Sequence, residues 1–411
     1  MDYPKLRYIE AFPVNVNGQR LICLRDPQNL SGKIVFVSPE SLFIISLFDG
    51  KHSILDIQEK FMRQFGRLVF SDEIKRLISQ LDEALLLDSE NYRAFKRKIE
   101  EEFRKSPVRE SSHCGLSYPE RSDELKNWLE SFFKEAEHYN VSKQPDDVIT
   151  RGIISPHIDF RRGGKSYAVA YRELLNFCDP EICLIFGTSH YADVENPFIL
   201  TSKNFKTPFG EVETDNEIIE ELVRHCSWDL FYGEIAHRSE HSIEFQVVFL
   251  QYVCGLRKKK KFKIVPILCN SFFKMVHNGT SPKEDERVSL FLKLIKDIVE
   301  ALDKRVCIIA GADLAHVGLK FGDPQPVTQS ILNWVKQRDT LSLSFAEKID
   351  AEGFFKSIEE EKDKRKICGL SPIYSLLSTV KANYGKILDY DQALEPDTGS
   401  VVSFASMGFY S

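Results

Sequence analysis

The chain has 411 residues, with 55 Lys plus Arg against 61 Asp plus Glu (formal net charge −6), 43% hydrophobic and 28% charged residues. That balance is ordinary for a globular protein long enough for two domains, and it excludes collagen-like, disordered and repeat classes. The net negative charge argues against nucleic acid or an anionic membrane as partner, because both require a cationic face; the one basic run, residues 257–261, reads as a solvated loop. No stretch of about 18 apolar residues occurs, so no membrane-spanning helix is expected. The charged residues 1–7 have no apolar run behind them, so a cytoplasmic location is expected rather than export. Nine cysteines without a C-x-x-C pair fit neither a disulfide framework nor a zinc ribbon, and no three-cysteine cluster is present to hold an iron–sulfur centre.

Residues 1–95 read as a small separate unit. Strand-like pieces at 20–25 and 33–37 precede Ser38-Pro39-Glu40, a helix start with an N-cap serine and proline at the first helical position. Asp49-Gly50 closes that helix as a turn; Ser53 caps a second through Phe65, with Gly66 after it, and Ser71 opens a third carrying Ile74, Leu77, Ile78, Leu81 and Leu85. Three short helices with flanking strands predict a winged-helix shape. Residues 96–107, part of a mixed-charge stretch ending at Ser106-Pro107, read as a charged linker, in part helical. From 108 to 411, β-rich runs at 148–154, 181–186, 262–268 and 306–310 alternate with helical stretches such as 166–177, 242–253 and 372–380. This pattern predicts an α/β domain with a largely parallel sheet.

Open α/β sheets bind ligands beyond the carboxyl ends of their strands. His157 follows the run 152–156, His190 follows 184–189, and Asp313 with His316 follows 308–312. Cys368 stands just before the 372–380 helix, where a helix N-terminus favours the thiolate that ligates metal. Singly, each has a bland reading as a turn histidine or a packed thiol; together they mark one site. The other eight cysteines are assigned to packing, and His52, His113, His138, His225, His237 and His277 have no strand-end setting. His316 is the choice for general acid or base, with Asp313 orienting or charging it; the alternative is that the pair only fixes ligand geometry. His241 opens the amphipathic helix 242–253 and takes a role at the site, while Glu244 reads as a cap of that helix. Arg161-Arg162-Gly163-Gly164 either places two guanidinium groups and free amides near an anion or is a charged turn.

Two resemblances extend this reading. Through residues 47–57 and the helix 74–87, the first unit resembles the PqqD-like winged-helix modules that recognise peptides. Residues 108–411 resemble the Memo family, protein B of the AmmeMemoRadiSam group. The matching stretches are Ser112-His113-Cys114-Gly115, Ser155-Pro156-His157, Gly187-Thr188-Ser189-His190, Thr207-Pro208-Phe209-Gly210, Glu240-His241-Ser242-Ile243-Glu244, Gly311-Ala312-Asp313-Leu314-Ala315-His316 and Cys368-Gly369 with Pro372-Ile373. The resemblance implies a fold like that of class III extradiol dioxygenases. It also implies a mononuclear site with His157, His190 and Cys368 as ligands and Asp313, His316 and His241 around the same pocket. It further implies AMMECR1-like and radical SAM partners, and a peptide or protein substrate.

A His, His, carboxylate face is what iron(II) oxygenases use, so iron(II) is favoured; cysteine in place of the carboxylate is softer, which leaves copper(I) or zinc open. Enzyme status is left open between a redox or oxygen-handling protein, a metal- or peptide-binding protein without turnover, and a zinc hydrolase. The sequence departs from the usual family pattern at Ile158-Asp159-Phe160, where Ala-Gly-Tyr is frequent, at Tyr191, where a second histidine is, and at Leu370-Ser371, where Arg-His is. These are wall positions, so substrate preference is not transferred.

Overall fold

The computed structural model describes every residue except 17, 29, 138–147, 178–179, 193, 257–261 and 303–305, together with all side chains of the described residues but those of 176 and 177. The basic run 257–261, His138 and Cys178 therefore lie outside the described residues. The chain divides into two units, Met1–Lys105 and Ser106–Ser411.

In the first unit, β1 (Glu10–Val16), β2 (Gln19–Arg25) and β3 (Ile34–Val37) form an antiparallel sheet in that order. Four helices follow: α1 (Pro39–Ser46), α2 (Ile54–Phe65), α3 (Ser71–Glu83) and α4 (Glu90–Lys105). Their starts obey local chemistry. The Ser38 hydroxyl accepts from the Ser41 amide, and Ser53 and Asp56 form a reciprocal capping box before Gly66 ends α2 at φ 67°. Ser71 does not cap α3. It lies inside the first turn, and Glu73 reaches back to the amide of Phe70 instead. Leu24, Val35, Ile45, Ile57, Phe61, Ile74 and Leu81 make the core of this unit. The stretch expected as a linker is helical to Lys105, supported by i,i+4 pairs such as Lys96–Glu100 and Lys105–Glu101.

The second unit runs β4 (Val108–Arg109), α5 (Ser122–Ala136), β5 (Thr150–Ser155), α6 (Phe160–Phe177), β6 (Ile182–Thr188), β7 (Phe198–Leu200), β8 (Asn204–Thr207), β9 (Gly210–Thr214), α7 (Asn216–His225), α8 (His241–Leu256) and β10 (Lys263–Cys269). It continues through α9 (Phe273–Asn278), α10 (Glu286–Ala301), β11 (Val306–Gly311), β12 (His316–Gly318), α11 (Gln329–Glu347), α12 (Ala351–Glu359), α13 (Leu370–Thr379), β13 (Tyr384–Glu395) and β14 (Ser400–Tyr410). One large sheet has the order β12-β14-β5-β11-β6-β10-β9-β8-β4, with β13 on β14 and β7 on β10. Its centre, β5-β11-β6-β10, is parallel. The expected α/β fold with a largely parallel sheet is what forms, with antiparallel strands added toward its margins.

The central strands are apolar on both faces, as parallel strands between helical layers must be. Cys183, Ile185 and Ile309 turn toward Tyr167, Phe245 and Phe249 of α6 and α8. Leu184, Phe186, Ile308 and Ala310 turn toward Phe291 and Ile373 of α10 and α13. Register brings the strand ends level: Ser155 pairs with Gly311, Gly311 with Gly187, and Thr188 with Cys269. Whatever follows these residues emerges along one edge.

Two expectations change. Helix α6 begins at Phe160, so Gly163 and Gly164 lie in the helix and not in a turn; a Cβ there would sit 2.4 Å from Ile158 and 2.6 Å from Phe132, so both are glycine for close packing. Helix α8 is not amphipathic, because Ser242 through Leu250 are all buried. Its start is pressed onto the sheet through two other glycines. A Cβ on Gly311 would lie 2.5 Å from the Ser242 carbonyl oxygen, and one on Gly187 would lie 2.5 Å from Ile243.

Gly311→Ala should therefore cost about 1–3 kcal/mol by overpacking backbone against backbone. Gly255→Ala, in the exposed last turn of α8 with nothing within 4 Å, should be neutral or stabilise by about 0.5–1 kcal/mol. Paired thermal or urea denaturation measures both.

Candidate metal centre

The level strand ends deliver the chemistry. His157 lies two residues past β5, His190 two past β6 and Asp313 two past β11; His316 opens β12, His241 is the first residue of α8, and Cys368 stands two residues before α13. Three of these imidazoles meet. The His157 ring centroid is 5.0 Å from that of His190 and 5.3 Å from that of His241, and the His190 and His241 rings stack at 4.9 Å. One ring nitrogen of each lies within 4.8 Å of one from each of the others. His157 is buried, His241 half-buried and His190 the most open.

Each ring is aimed from behind. His157 Nδ1 donates to the Gly311 carbonyl at 2.9 Å, which leaves Nε2 with its lone pair. His190 Nδ1 donates to Glu240 Oε1 at 2.9 Å, and His241 Nδ1 lies 3.2 Å from the same oxygen. Glu240, just before α8, also accepts from the backbone amides of His190, His241 and Ser242. Histidine ligands of metals characteristically give their other nitrogen to a carboxylate or carbonyl in this way.

The electrostatics follow from these contacts. Desolvation works against the Glu240 carboxylate, but the charge and hydrogen bonds of His190, with His241 behind it, hold its pKa well below the ordinary value. Desolvation likewise opposes a charged His190, and Glu240 more than offsets it, so that pKa is raised. Desolvation dominates at His157 and His241 and lowers both. Neutral imidazoles with free lone pairs are the form that ligates metal.

Cys368 joins through one member of the group, its Sγ 3.2 Å from His157 Nε2. Gly369 permits this approach, since a Cβ there would fall 2.2 Å from the Asp313 carbonyl oxygen. The expected thiolate stabilisation by the helix start is overridden: desolvation, with Asp313 adding to it, pushes the thiol well above its ordinary pKa. A thiolate here needs a cation beside it.

The match to a family description now has a site to attach to. Residues 109–408 fit the family described as Memo-like protein. The chain belongs to the Memo family. It is 32% identical to a MEMO1 family protein of Aquifex aeolicus over 99% of this chain and all of that relative. A Thermus thermophilus member is 28% identical over 86% of this chain and 97% of its own length, and one from Methanopyrus kandleri 28% over 72% and 96%. The Aquifex likeness thus spans the first unit as well as the Memo domain.

Within that domain, several roles differ from those expected. Asp313 bonds at His157, where its Oδ1 accepts from the amides of His157 (2.9 Å) and Ile158 (3.1 Å) and its Oδ2 lies 3.6 Å from Nε2; toward His316 it acts as a nearby charge that favours the protonated ring against desolvation. His316 instead donates from Nδ1 to the Leu314 carbonyl, and desolvation lowers it to about 4, so near pH 7 it is a neutral base rather than an acid. Glu244 does not cap α8. Buried, it accepts from the amides of Ser112 and His113, the Tyr118 hydroxyl and the Arg109 guanidinium, and so pins residues 109–118 to the helix start. This brings in His113, whose ring lies 5.5 Å from that of His241 and whose Nε2 bonds the Ser239 carbonyl. Arg162 is occupied by Asp159 and Glu395, so the anion-cradle reading of 161–164 is withdrawn. Sequence reasoning missed Glu240 and His113; the adjacent pair Glu240-His241 at a helix start was the available signal.

Glu240→Gln should lower the pKa of His190, because the raising charge is removed; histidine NMR titration of metal-free protein reads the shift. A second test concerns the segment leading to Cys368. Desolvation raises Asp363 to about 6 from an ordinary 3.8. A carboxyl raised on folding contributes stability that is complete below about 3.8 and lost as pH climbs through about 6. Asp363 also sits at φ 49°, which asparagine tolerates. Asp363→Asn should therefore be more stable than wild type at pH 7–8 by on the order of 1–3 kcal/mol, with the gain shrinking toward pH 4 in urea titrations.

Proposed function

We propose that this Memo-family chain binds one metal ion at the strand-end site, with His157, His190 and Cys368 as ligands, and that it acts as a redox or oxygen-handling protein. The observation that carries the reading is the convergence of three imidazoles, two of them oriented by the buried Glu240, beside a thiol at 3.2 Å from one of them. The donors suit a metal: burial favours the neutral form of His157 and His241, and the thiol is costly to ionise unless a cation sits against it. Iron(II) is favoured, with copper(I) or zinc as the other ions that imidazole and thiolate accept. When bound, such an ion supplies a Lewis-acidic, potentially redox-active centre with open positions.

The protein's own residues do the rest. His157 and His190 present lone pairs, Glu240 and the Gly311 carbonyl hold those rings, and His316 offers a neutral nitrogen to accept a proton from a substrate. His241 lines the same group and is the alternative third ligand, because its ring nitrogen meets the distance condition with the other two. AMMECR1-like and radical SAM proteins are the proposed partners. A peptide or protein is the proposed substrate, recognised by a first unit of PqqD-like, winged-helix type, in the cytoplasm. A copper(I) carrier or other binding protein without turnover is the second reading, favoured by the soft thiol; a zinc hydrolase is the third.

Elemental analysis of protein purified anaerobically without a metal-binding tag tests the core of this. Wild type should hold near-stoichiometric metal, and His157→Ala, His190→Ala and Cys368→Ala should each lose more affinity than the roughly 10–100-fold that removing a ligand's supporting hydrogen-bond partner costs, while staying folded. Retention by Cys368→Ala with loss by His241→Ala would reassign the third ligand to His241. A wild type that is empty and rejects iron, copper and zinc sinks the proposal. If the thiol proton leaves on binding, affinity should also rise about tenfold per pH unit below its ionisation. Dioxygen uptake by the iron(II) form separates the redox reading from the carrier.

A further inference from the structure

Two segments flank the site without belonging to the central strands: 313–316, with Asp313 and His316, and 360–368, which ends in Cys368. The first is irregular up to His316, where β12 begins; the second is irregular and held in an unfavourable shape, with Lys362, Asp363 and Lys366 all at left-handed φ of 49–55°. Side chains other than glycine stay there only when their surroundings impose it. The buried contacts of its Arg365 lead to one residue.

Asp339, fully buried on α11, receives the Arg365 guanidinium on Oδ1 at 2.5 Å. On Oδ2 it receives the Ser403 hydroxyl at 2.6 Å and the Tyr390 hydroxyl at 2.9 Å. Arg365 is itself fully buried and carries the strained segment, adding bonds to Glu361 and Ser342. Its carbonyl accepts the His316 amide at 2.7 Å. Ser403, on β14, accepts the Ala315 amide on its hydroxyl at 2.9 Å and exchanges backbone bonds with Leu314 and Ala315. The two segments then meet directly, the Gly369 amide donating to the Asp313 carbonyl at 3.0 Å.

We infer that Asp339 is a positioning residue for the site: one buried carboxylate, 26 positions from Arg365 and 64 from Ser403 in sequence, holds both the Cys368 segment and the His316 segment in register. Arg365 is its arm to the first and Ser403 its arm to the second. It touches none of the site's side chains, so its effect is on where Cys368 and His316 stand.

The test uses metal-free protein, so its outcome is separable from that of the metal-binding reading. Alkylation of Cys368 by iodoacetamide is followed by peptide mass spectrometry, and amide exchange is followed at Ala315 and His316. Asp339→Asn should raise both rates about tenfold or more, because the charged arm to Arg365 is lost and local opening becomes easier. Ser403→Ala should raise exchange at Ala315 and leave Cys368 alkylation within about twofold. Glu173→Gln, which disturbs a different buried carboxylate bonded by Tyr410, should move neither rate, whatever it does to the unfolding temperature. The inference is overturned if Asp339→Asn behaves like Glu173→Gln, or if Ser403→Ala frees Cys368 as much as Asp339→Asn does. Should Asp339→Asn not accumulate folded, Arg365→Lys must still speed Cys368 alkylation and Ser403→Ala must still deprotect Ala315. Failure of either overturns it.

Discussion

A carboxylate without water survives only when its oxygens are answered by donors, and Glu240 turns that requirement into a site. Its partners are backbone amides at the start of α8 and the Nδ1 atom of His190, with His241 Nδ1 close by. Desolvation would cost several kcal/mol if those donors were absent. Satisfying the acid therefore places one imidazole from a strand end and one from a helix start side by side. His157 is added from the opposite direction, through the carbonyl of Gly311. The fold's part in this is plain geometry: parallel strands ending level, and glycines at their tips that let a helix start come down onto them.

The same helix start holds a second buried acid one turn on. Glu240 faces the histidines, whereas Glu244 gathers residues 109–118 through Arg109, Ser112, His113 and Tyr118. The two carboxylates thus divide the labour between arranging the histidines and pinning residues 109–118 to the helix start. Such groups contribute little net stability, since desolvation offsets their attraction, yet removing one partner leaves the other charged and alone. An α8 buried from Ser242 through Leu250, with Ser242, Glu244 and Gln246 in its first turns, is the result, and it explains why no polar face shows in its pattern.

Helix caps in the first unit were legible because Ser38-Pro39 and Ser53 with Asp56 act within four residues. The strand-end placement of His157, His190 and Asp313 was legible because apolar runs define where parallel strands stop. What was not legible depends on distant pairings. Glu244 resembles a cap until Arg109 is brought 135 positions along the chain to meet it. Gly163 and Gly164 resemble a turn until Phe132 and Ile158 are seen to require their missing side chains. Ser71 resembles a cap because it stands one residue from where the cap acts. Asp313 was paired with its neighbour in sequence, His316, on which it acts only as a charge, while its hydrogen bonds go to residues just past β5.

Strand β14 has a consequence for how the protein is made. It lies between β12 and β5, every one of its residues is buried, and its Ser403 supports the turn that carries His316. A nascent chain lacking residues 400–410 would expose the apolar edge of β5 and leave Leu314 and Ala315 without their Ser403 backbone partners. Synthesis therefore reaches the strand that locks the sheet only after the three histidines have been translated, and until then they wait on a strand that has not yet been built.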